Sequence, residues 1–199
     1  MNRLNAFAKN NRWTWAALGS AIMFIVVSVI SGKFSYMSFA ANYTIASYLT
    51  ICALGQMIVM TTGRGAFDLS IPNMITISAF LTMGLTDGKD ERFFPVFVLV
   101  ILVGAFVGFI NSILVIRFRI TSMIATLAVG YILSTATSVY NRAFNTLEIS
   151  GIMHFLTTFR ILGIPVAGYV SLLIVIAVAI MFRSTTYGRA LLALGQNKK

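Results

Sequence analysis

Six apolar stretches alternate with short polar segments along the chain. A helix that crosses the hydrocarbon core of a bilayer needs about 20 mostly apolar residues. The stretches cover residues 13–30, 39–60, 71–85, 93–116, 120–140 and 166–182. The pattern therefore predicts an all-α, polytopic membrane protein with about six helical spans, forming a single transmembrane domain over residues 1–199.

Two segments outside these stretches are long enough to have structure of their own. Residues 141–165 are too polar to span a bilayer, but "GIMHFLTTFRIL" has apolar residues at roughly helical spacing. A short helix at the outer membrane interface and a plain outer loop both fit this spacing. The segment 183–199 is polar and basic, and "RALLAL" within it is compatible with a further cytoplasmic helix.

The basic residues predict the orientation, because cytoplasmic loops carry an excess of Lys and Arg. With a cytoplasmic N-terminus and six alternating spans, 10 of the 15 basic residues lie inside: Arg3, Lys9, Arg12, Arg64, Arg117, Arg119, Arg183, Arg189, Lys198 and Lys199. Every acidic residue except Asp68 then lies outside. We therefore expect the N-terminus in the cytoplasm and the first apolar stretch to be an uncleaved span.

Composition supports the bilayer assignment. The chain is 58% hydrophobic and 10% charged, with a mean hydropathy of +0.89, whereas soluble domains carry about a quarter charged residues. A net charge of +10 would suggest nucleic acid for a soluble protein. Here the excess follows the predicted inner loops, so the lipid bilayer is the expected partner and nucleic acid is not.

Catalytic chemistry is not expected of this chain. Cys52 and His154 are each the only residue of their kind, which excludes an internal disulfide and a Cys-based metal cluster. The sequence contains no Ser–His–Asp set, HExxH motif or phosphate-binding glycine loop. We therefore predict a protein that is not an enzyme and that holds neither a metal nor a cofactor.

The stretch "TTGRGAFDLSIPNMITIS", residues 61–78, places a carboxylate between two apolar runs. Asp68 or Ser70 can cap the following helix by accepting from its free N–H groups, and Pro72 is tolerated in a first turn. Alternatively, the glycines before Asp68 allow a helix break below the membrane surface, where an acidic residue lines a solute path. We favour the cap, with the path shaped around it.

Further polar residues lie inside the apolar stretches. Asn111 interrupts the fourth stretch, and an interhelical hydrogen bond is favoured over ligand contact there. Thr126 is one of several hydroxyl residues in the fifth stretch, most of which are expected to bond back to their own helix. Gly104 and Gly108 form a G-x-x-x-G spacing that suits close helix packing, although this spacing is common by chance.

Three motifs, read in order, resemble the ribose-type family of bacterial ABC importer permeases for sugars. "GAFDLSIP" resembles G-G-x-D-L-S-V-G. "GFINSILVIRFRITSMIATLAVG" is similar to G-x-x-N-G-x-L-V followed by R-I-P-P-F-I-x-T-L-G, and "FRSTTYGRALLALGQN" resembles R-x-T-x-F-G-R-x-x-x-A-x-G-x-N. The resemblance covers most of residues 40–197. It implies a vitamin-B12-importer-like permease architecture, of which this chain looks like an N-terminal portion.

The resemblance also implies a function. A permease of this family moves a pentose- or hexose-like sugar across the bacterial cytoplasmic membrane after an extracytoplasmic solute-binding protein delivers it. Two cytoplasmic ABC ATPase subunits hydrolyse the ATP, and a second permease copy, identical or paralogous, completes the dimer. The alternatives are a nucleoside or branched-chain amino-acid ABC permease, an ATP-independent carrier or channel, and a membrane scaffold without transport activity.

The motif positions carry the implied site residues. The substrate path would involve Phe67, Asp68, Ser70, Asn111 and Thr126. The region that couples to the ATPase would include Tyr187, Gly188, Arg189, Gly195 and Asn197, within residues 183–199 leading to a coupling helix. The sequence departs from the family pattern at Ala66, Pro72, Ser112, Thr121 and Ser122, and these departures weaken any transfer of substrate identity.

Overall fold

The computed structural model describes residues 13–32, 35–63, 66–143 and 148–196, and most of these residues are helical. The α-helices are α1 (Trp13–Ile30), α2 (Tyr36–Thr61), α3 (Ile71–Thr86), α4 (Phe93–Ile116), α5 (Ser122–Ala143), α6 (Gly151–Thr158), α7 (Val166–Ser184) and α8 (Thr186–Gln196). A 3-10 helix, Asp90–Arg92, precedes α4, and two antiparallel strands, β1 (Arg160–Ile161) and β2 (Ile164–Pro165), precede α7. The all-α class is confirmed.

Four segments of the described chain are long and apolar enough to cross a membrane: Tyr36–Thr61, Asp90–Ile116, Ser122–Arg142 and Val166–Ser184. The other two predicted spans coincide with α1 and α3, which are shorter apolar helices. α3 has 16 residues, so it is about 24 Å long at 1.5 Å per residue. That is less than the hydrocarbon thickness of about 30 Å, and the chain just before α3 is not helical.

The chain divides into two compact units, residues 1–45 and 46–199. In the first unit, the rings of Phe24 and Phe39 meet edge to face with their centroids 5.9 Å apart. In the second unit, α3, α4 and α5 pack around a buried cluster formed by Ile77, Val107, Val129 and Leu133. This three-helix core fixes the start of α3 relative to α4 and α5, and the candidate site lies there.

The sequence was compatible with either a short helix or a plain loop between α5 and α7, and the structure has a helix there. Ser150 is the N-cap of helix α6, and its hydroxyl accepts from Met153 N at 3.4 Å. The Asp90 carboxylate accepts from Ile152 N at 2.9 Å, and a negative charge near a helix N-terminus is favourable. Asp90 therefore ties the start of α6 to the turn that precedes α4.

Candidate functional site

The segment 66–70 has no regular secondary structure and lies along the first turns of α5. Ser122 Oγ accepts from Phe67 N at 3.3 Å and donates to Phe67 O at 2.9 Å. Thr126 Oγ1 accepts from Leu69 N at 2.9 Å. Backbone groups outside a helix need partners from elsewhere when they are buried. Ser122 and Thr126 are four residues apart, so both hydroxyls project from one face of α5 and provide these partners.

Helix α2 supports the same segment from a different direction. With the Gln56 amide oriented to satisfy both groups, its oxygen accepts from Asp68 N and its nitrogen donates to Asp68 O, each at 3.2 Å. The two bonds make the side-chain amide act like the backbone of a paired strand. Together with the hydroxyls of α5, this amide holds the three consecutive residues Phe67, Asp68 and Leu69 by their backbone.

A chain of polar side chains runs from α4 to the Asp68 carboxylate. Asn111 Nδ2 donates to Ser70 Oγ at 3.1 Å, and Ser70 Oγ donates to Asp68 Oδ1 at 2.6 Å. Asp68 Oδ1 also accepts from Ser70 N at 2.8 Å. Ser70 is 2% exposed and Asn111 7%. Asn111 Oδ1 is buried and has no hydrogen-bond partner among the described residues, whereas Asp68 itself is half-buried.

The capping bond expected at the start of α3 is not formed. Ser70 occupies the N-cap position with proline in the first turn, but no side chain accepts from the N–H groups of that turn. The reason is conformational. Ser70 has φ −81° and ψ −16°, in the helical region, whereas a capping residue normally adopts β-region angles that aim its side chain at the first turn. Its hydroxyl instead points to Asp68.

The predicted path residues Phe67, Asp68, Ser70, Asn111 and Thr126 therefore come together in one network. Asn111 does bond to another element, as expected, but its partner Ser70 is the residue just before α3 and not a residue within a helix. Thr126 bonds back to its own helix through Ser122 O at 2.8 Å, as expected of such hydroxyls, but it also accepts from the 66–70 segment. Its role is therefore wider than predicted.

Open space adjoins this network. An open, shallow cavity of about 250 Å³ with an apolar surface is lined by Cys52, Ala53, Gln56, Phe67, Asp68, Leu69, Ile71 and Pro72. A wider depression of about 970 Å³ borders the start of the segment, with Gly63, Ala66, Arg119 and Ser122 among its lining residues. The 66–70 segment thus contributes residues to the walls of both.

The predicted coupling residues lie on a different element. Tyr187, Gly188, Arg189 and Gly195 are on α8, whereas Asn197 lies outside the described residues. Gly188 is buried, and a Cβ there would meet Met181 O and the Phe182 backbone. Helix α8 therefore approaches the end of α7 more closely than any residue with a side chain would allow.

Sequence reasoning missed three contributors to the site. Gln56 gave a signal as an amide among the apolar residues in the second half of the second stretch, and Ser122 was noted only as a departure from the family pattern. The third is Gly130 on α5, where a Cβ would lie 2.9 Å from Asn73 Nδ2 and 3.5 Å from Leu69 O. The absent side chain of Gly130 lets α5 lie against the start of α3.

These features together indicate a class of protein. Non-helical, polar backbone among apolar helices is characteristic of membrane proteins that pass solutes, since such backbone is tolerated only when protein covers it or a cavity adjoins it. Residues 38–199 match the family described as branched-chain amino acid transport system / permease component, and the chain belongs to this family.

Curated relatives agree with this family. The chain is 27% identical over 199 residues to the autoinducer 2 import system permease protein LsrC of Yersinia pseudotuberculosis serotype O:3 (strain YPIII), and equally so to that of Yersinia pestis (strain Pestoides F). Each alignment covers 96% of this chain and 54% of the relative. The chain thus spans about half the length of these relatives. No solved structure matches it.

The comparisons confirm the family predicted from the three motifs, the sugar-type permeases of ABC importers. Together with the apolar helices, they also confirm a multi-pass protein of the bacterial inner membrane. The permease subunits of these importers are transport subunits, in agreement with the prediction of a protein that is not an enzyme.

Proposed function

We propose that this chain forms part of the transmembrane subunit of an ABC importer that moves a pentose- or hexose-like sugar into the cytoplasm. One observation carries the proposal. The backbone of residues 67–69 is kept out of a helix by side chains from α2 and α5, beside a cavity that Asp68 lines. Sugars are recognised through hydroxyl groups, for which a carboxylate held in a fixed orientation is a strong acceptor.

The partners follow from the family. A dimer of cytoplasmic ABC ATPase subunits would hydrolyse ATP, a solute-binding protein would deliver the sugar, and a second permease copy would complete the path. Tyr187, Gly188, Arg189, Gly195 and Asn197 would belong to the region that couples to the ATPase. α8 supports this part of the proposal, because Tyr187 and Leu194 are apolar side chains exposed by 59% and 61%.

The proposed architecture has six spans in this chain, a cytoplasmic N-terminus and the arrangement of vitamin-B12-importer permeases. Cysteines introduced at Lys89 and Arg189, in a Cys52→Ser background, test the orientation with a membrane-impermeant maleimide. We expect labelling of intact spheroplasts at position 89 and labelling at position 189 only after lysis. Labelling of position 189 in intact spheroplasts would contradict the orientation.

The transport role is tested by sugar uptake in cells that express the gene product with its ATPase and binding protein. Asp68→Ala removes the acceptor for Ser70 N and Ser70 Oγ, and with it the contact that orients the 66–70 segment beside the cavity. Hydrogen bonds to charged groups are worth about 1.5–3 kcal/mol, so uptake should fall about tenfold or more at equal membrane abundance. Asp87→Ala, in the exposed turn after α3, serves as the control.

Two outcomes separate the alternatives. Normal uptake by Asp68→Ala would remove this residue from the path. Solute flux through the purified protein in liposomes without any ATPase would contradict the importer and favour a carrier or channel.

A second substrate is favoured by the comparisons, because the relatives described above are named for autoinducer 2 import. The family description favours a third, branched-chain amino acids. Competition against labelled ribose uptake by unlabelled glucose, autoinducer 2, a nucleoside and leucine distinguishes these classes. A sugar importer predicts competition by sugars, and competition by leucine alone would assign the amino-acid alternative.

A further inference from the structure

Helix α8 is fixed at its first turn. Thr185 lies between α7 and α8, and its Oγ1 accepts from Gly188 N at 3.1 Å while bonding back to Met181 O at 2.6 Å. The same hydroxyl thus ends one helix and caps the next. Because Gly188 packs directly on the backbone of Met181 and Phe182, the angle between α7 and α8 can change only slightly.

The far end of α8 contacts the end of α2. A Cβ on Gly195 would meet Thr61 O, and a Cβ on Gly63 would lie 3.3 Å from Gly195 Cα. Gly63 also has a φ of +87°, which residues with side chains rarely adopt. Two backbones therefore touch directly, and glycine is required on both sides. Gly188 and Gly195 are seven residues apart, so they lie on the same face of α8.

This contact lies only a few residues before the candidate site. Gly63 O accepts from Ala66 N at 3.2 Å, and Ala66 is followed by Phe67, whose backbone is bonded to Ser122. A shift of α8 towards α2 cannot leave Gly63 in place, because no flexible side chain separates Gly195 from Thr61 and Gly63. The displacement must reach the 66–70 segment or be absorbed by bending of α2.

We propose that Gly63 and Gly195 are positioning residues, through which α8 holds the 66–70 segment and transmits its own movement to Asp68. The functional meaning rests on the proposed function, since α8 carries the residues assigned to ATPase coupling. The contact would then join the part of the chain that receives the movement to the part that faces the solute, within one subunit and without passing through the α3–α5 core.

The chain contains its own reporter for this coupling. Cys52 is the only cysteine in the sequence and lines the cavity next to Asp68. It lies nine residues before Thr61 on α2, about 14 Å away at 1.5 Å per residue. A substitution at Gly195 therefore cannot touch Cys52, and a change in the reactivity of this thiol reports displacement of the segment.

The experiment compares the rate of alkylation of Cys52 by N-ethylmaleimide in the purified full gene product. Gly195→Ala pushes α8 away from Thr61, and Thr185→Ala releases the opposite end of α8 without adding an atom. Gly108→Ala in α4 is the control, because an added Cβ there meets no described atom within 4 Å. Each variant is first checked for a monodisperse elution profile and for its unfolding temperature.

We expect both α8 variants to alkylate about fivefold faster than the wild type, since an overpacked contact at Gly195 and the loss of the Thr185 cap each shift an equilibrium by about that factor. The control should match the wild type. A wild-type rate in either α8 variant that remains folded overturns the proposal, and Thr185→Ala decides the question if Gly195→Ala does not fold.

The readout also separates this inference from the proposed function. Alkylation requires neither sugar nor ATPase, so faster labelling without any sugar uptake by the wild type would support the contact and refute the importer. In the transport assay, Gly195→Ala should lower the maximal uptake rate about fivefold and leave the half-saturating concentration of binding protein unchanged. Wild-type uptake together with wild-type labelling would refute the positioning role alone.

Discussion

Thr126→Val tests whether the hydroxyls of α5 keep the 66–70 segment in its non-helical form. Thr126 is 3% exposed, and its Oγ1 is the acceptor for Leu69 N at 2.9 Å. Valine has nearly the same shape, and both residues are β-branched, so helix propensity and rotamer preference change little. The substitution therefore removes one acceptor and leaves Leu69 N without it.

The expected loss of unfolding free energy is about 2 kcal/mol, because an unsatisfied buried donor costs about 1–3 kcal/mol. Thr137→Val provides the matched control. Thr137 is on the same helix, is 6% exposed, and donates only to Leu133 O at 2.8 Å. Since that carbonyl is also an acceptor within the helix, losing the hydroxyl should cost less than about 0.5 kcal/mol.

The free energy of unfolding is measured by denaturant titration of each purified variant in mixed micelles. The difference between the two variants reports the bonds of Thr126 Oγ1 to Leu69 N and to Phe67 O, because the exchange of hydroxyl for methyl is common to both. Thr126→Ser keeps the acceptor and should recover most of the stability. If Thr126→Val and Thr137→Val lose equal stability, the hydroxyl does not hold the segment and the reasoning fails.

Three further predictions concern neighbouring contacts. Gly130→Val places side-chain atoms against the start of α3 and should lower the unfolding free energy by about 1–3 kcal/mol, whereas Gly108→Val, measured by the same titration, should cost little. Gln56→Leu removes both bonds to the Asp68 backbone and should lower it by about 1–2 kcal/mol, with sugar uptake falling in parallel. Asp90→Asn removes a charged acceptor at the start of α6 and should speed hydrogen exchange in residues 148–158 by about threefold, the equivalent of roughly 0.6 kcal/mol.

The helices were largely predictable, because burial in lipid requires continuous apolar runs. The predicted bounds of the first and fourth stretches coincide with α1 and α4. The predicted bounds fail where apolar residues continue into a connection. Ile120 was placed in the fifth span, but α5 begins at Ser122, after Arg119 adopts a φ of +58° and Ile120 N bonds to Leu114 O at 3.2 Å. Hydropathy alone gives no indication of that turn.

The site was predictable in its charged and amide residues but not in the partners of its backbone. Asp68 and Asn111 stand out in the sequence because a polar side chain within an apolar run costs free energy to bury and is therefore rare. Gln56 and Ser122 became informative only once the rotation of α2 and α5 placed them beside Asp68 and Phe67. Apolar residues lie on every side of both helices. The sequence therefore does not predict how each helix is rotated about its own axis.

The non-helical form of the 66–70 segment costs stability, and this cost argues for a functional role. If residues 66–86 formed one helix, its 21 residues would span about 31 Å, enough to cross the hydrocarbon core of about 30 Å. Pro72 would kink this helix and leave Asp68 O without a donor, because proline has no N–H, but the other backbone bonds would be satisfied internally. The observed structure does not form this single helix. Instead, the side chains of Gln56, Ser122 and Thr126 provide hydrogen-bond partners for the backbone of residues 67–69. Departures from the locally simplest structure concentrate at functional sites. We therefore infer that the break, rather than the carboxylate alone, is what the path requires, and that Asp68 is oriented by a segment built for that purpose.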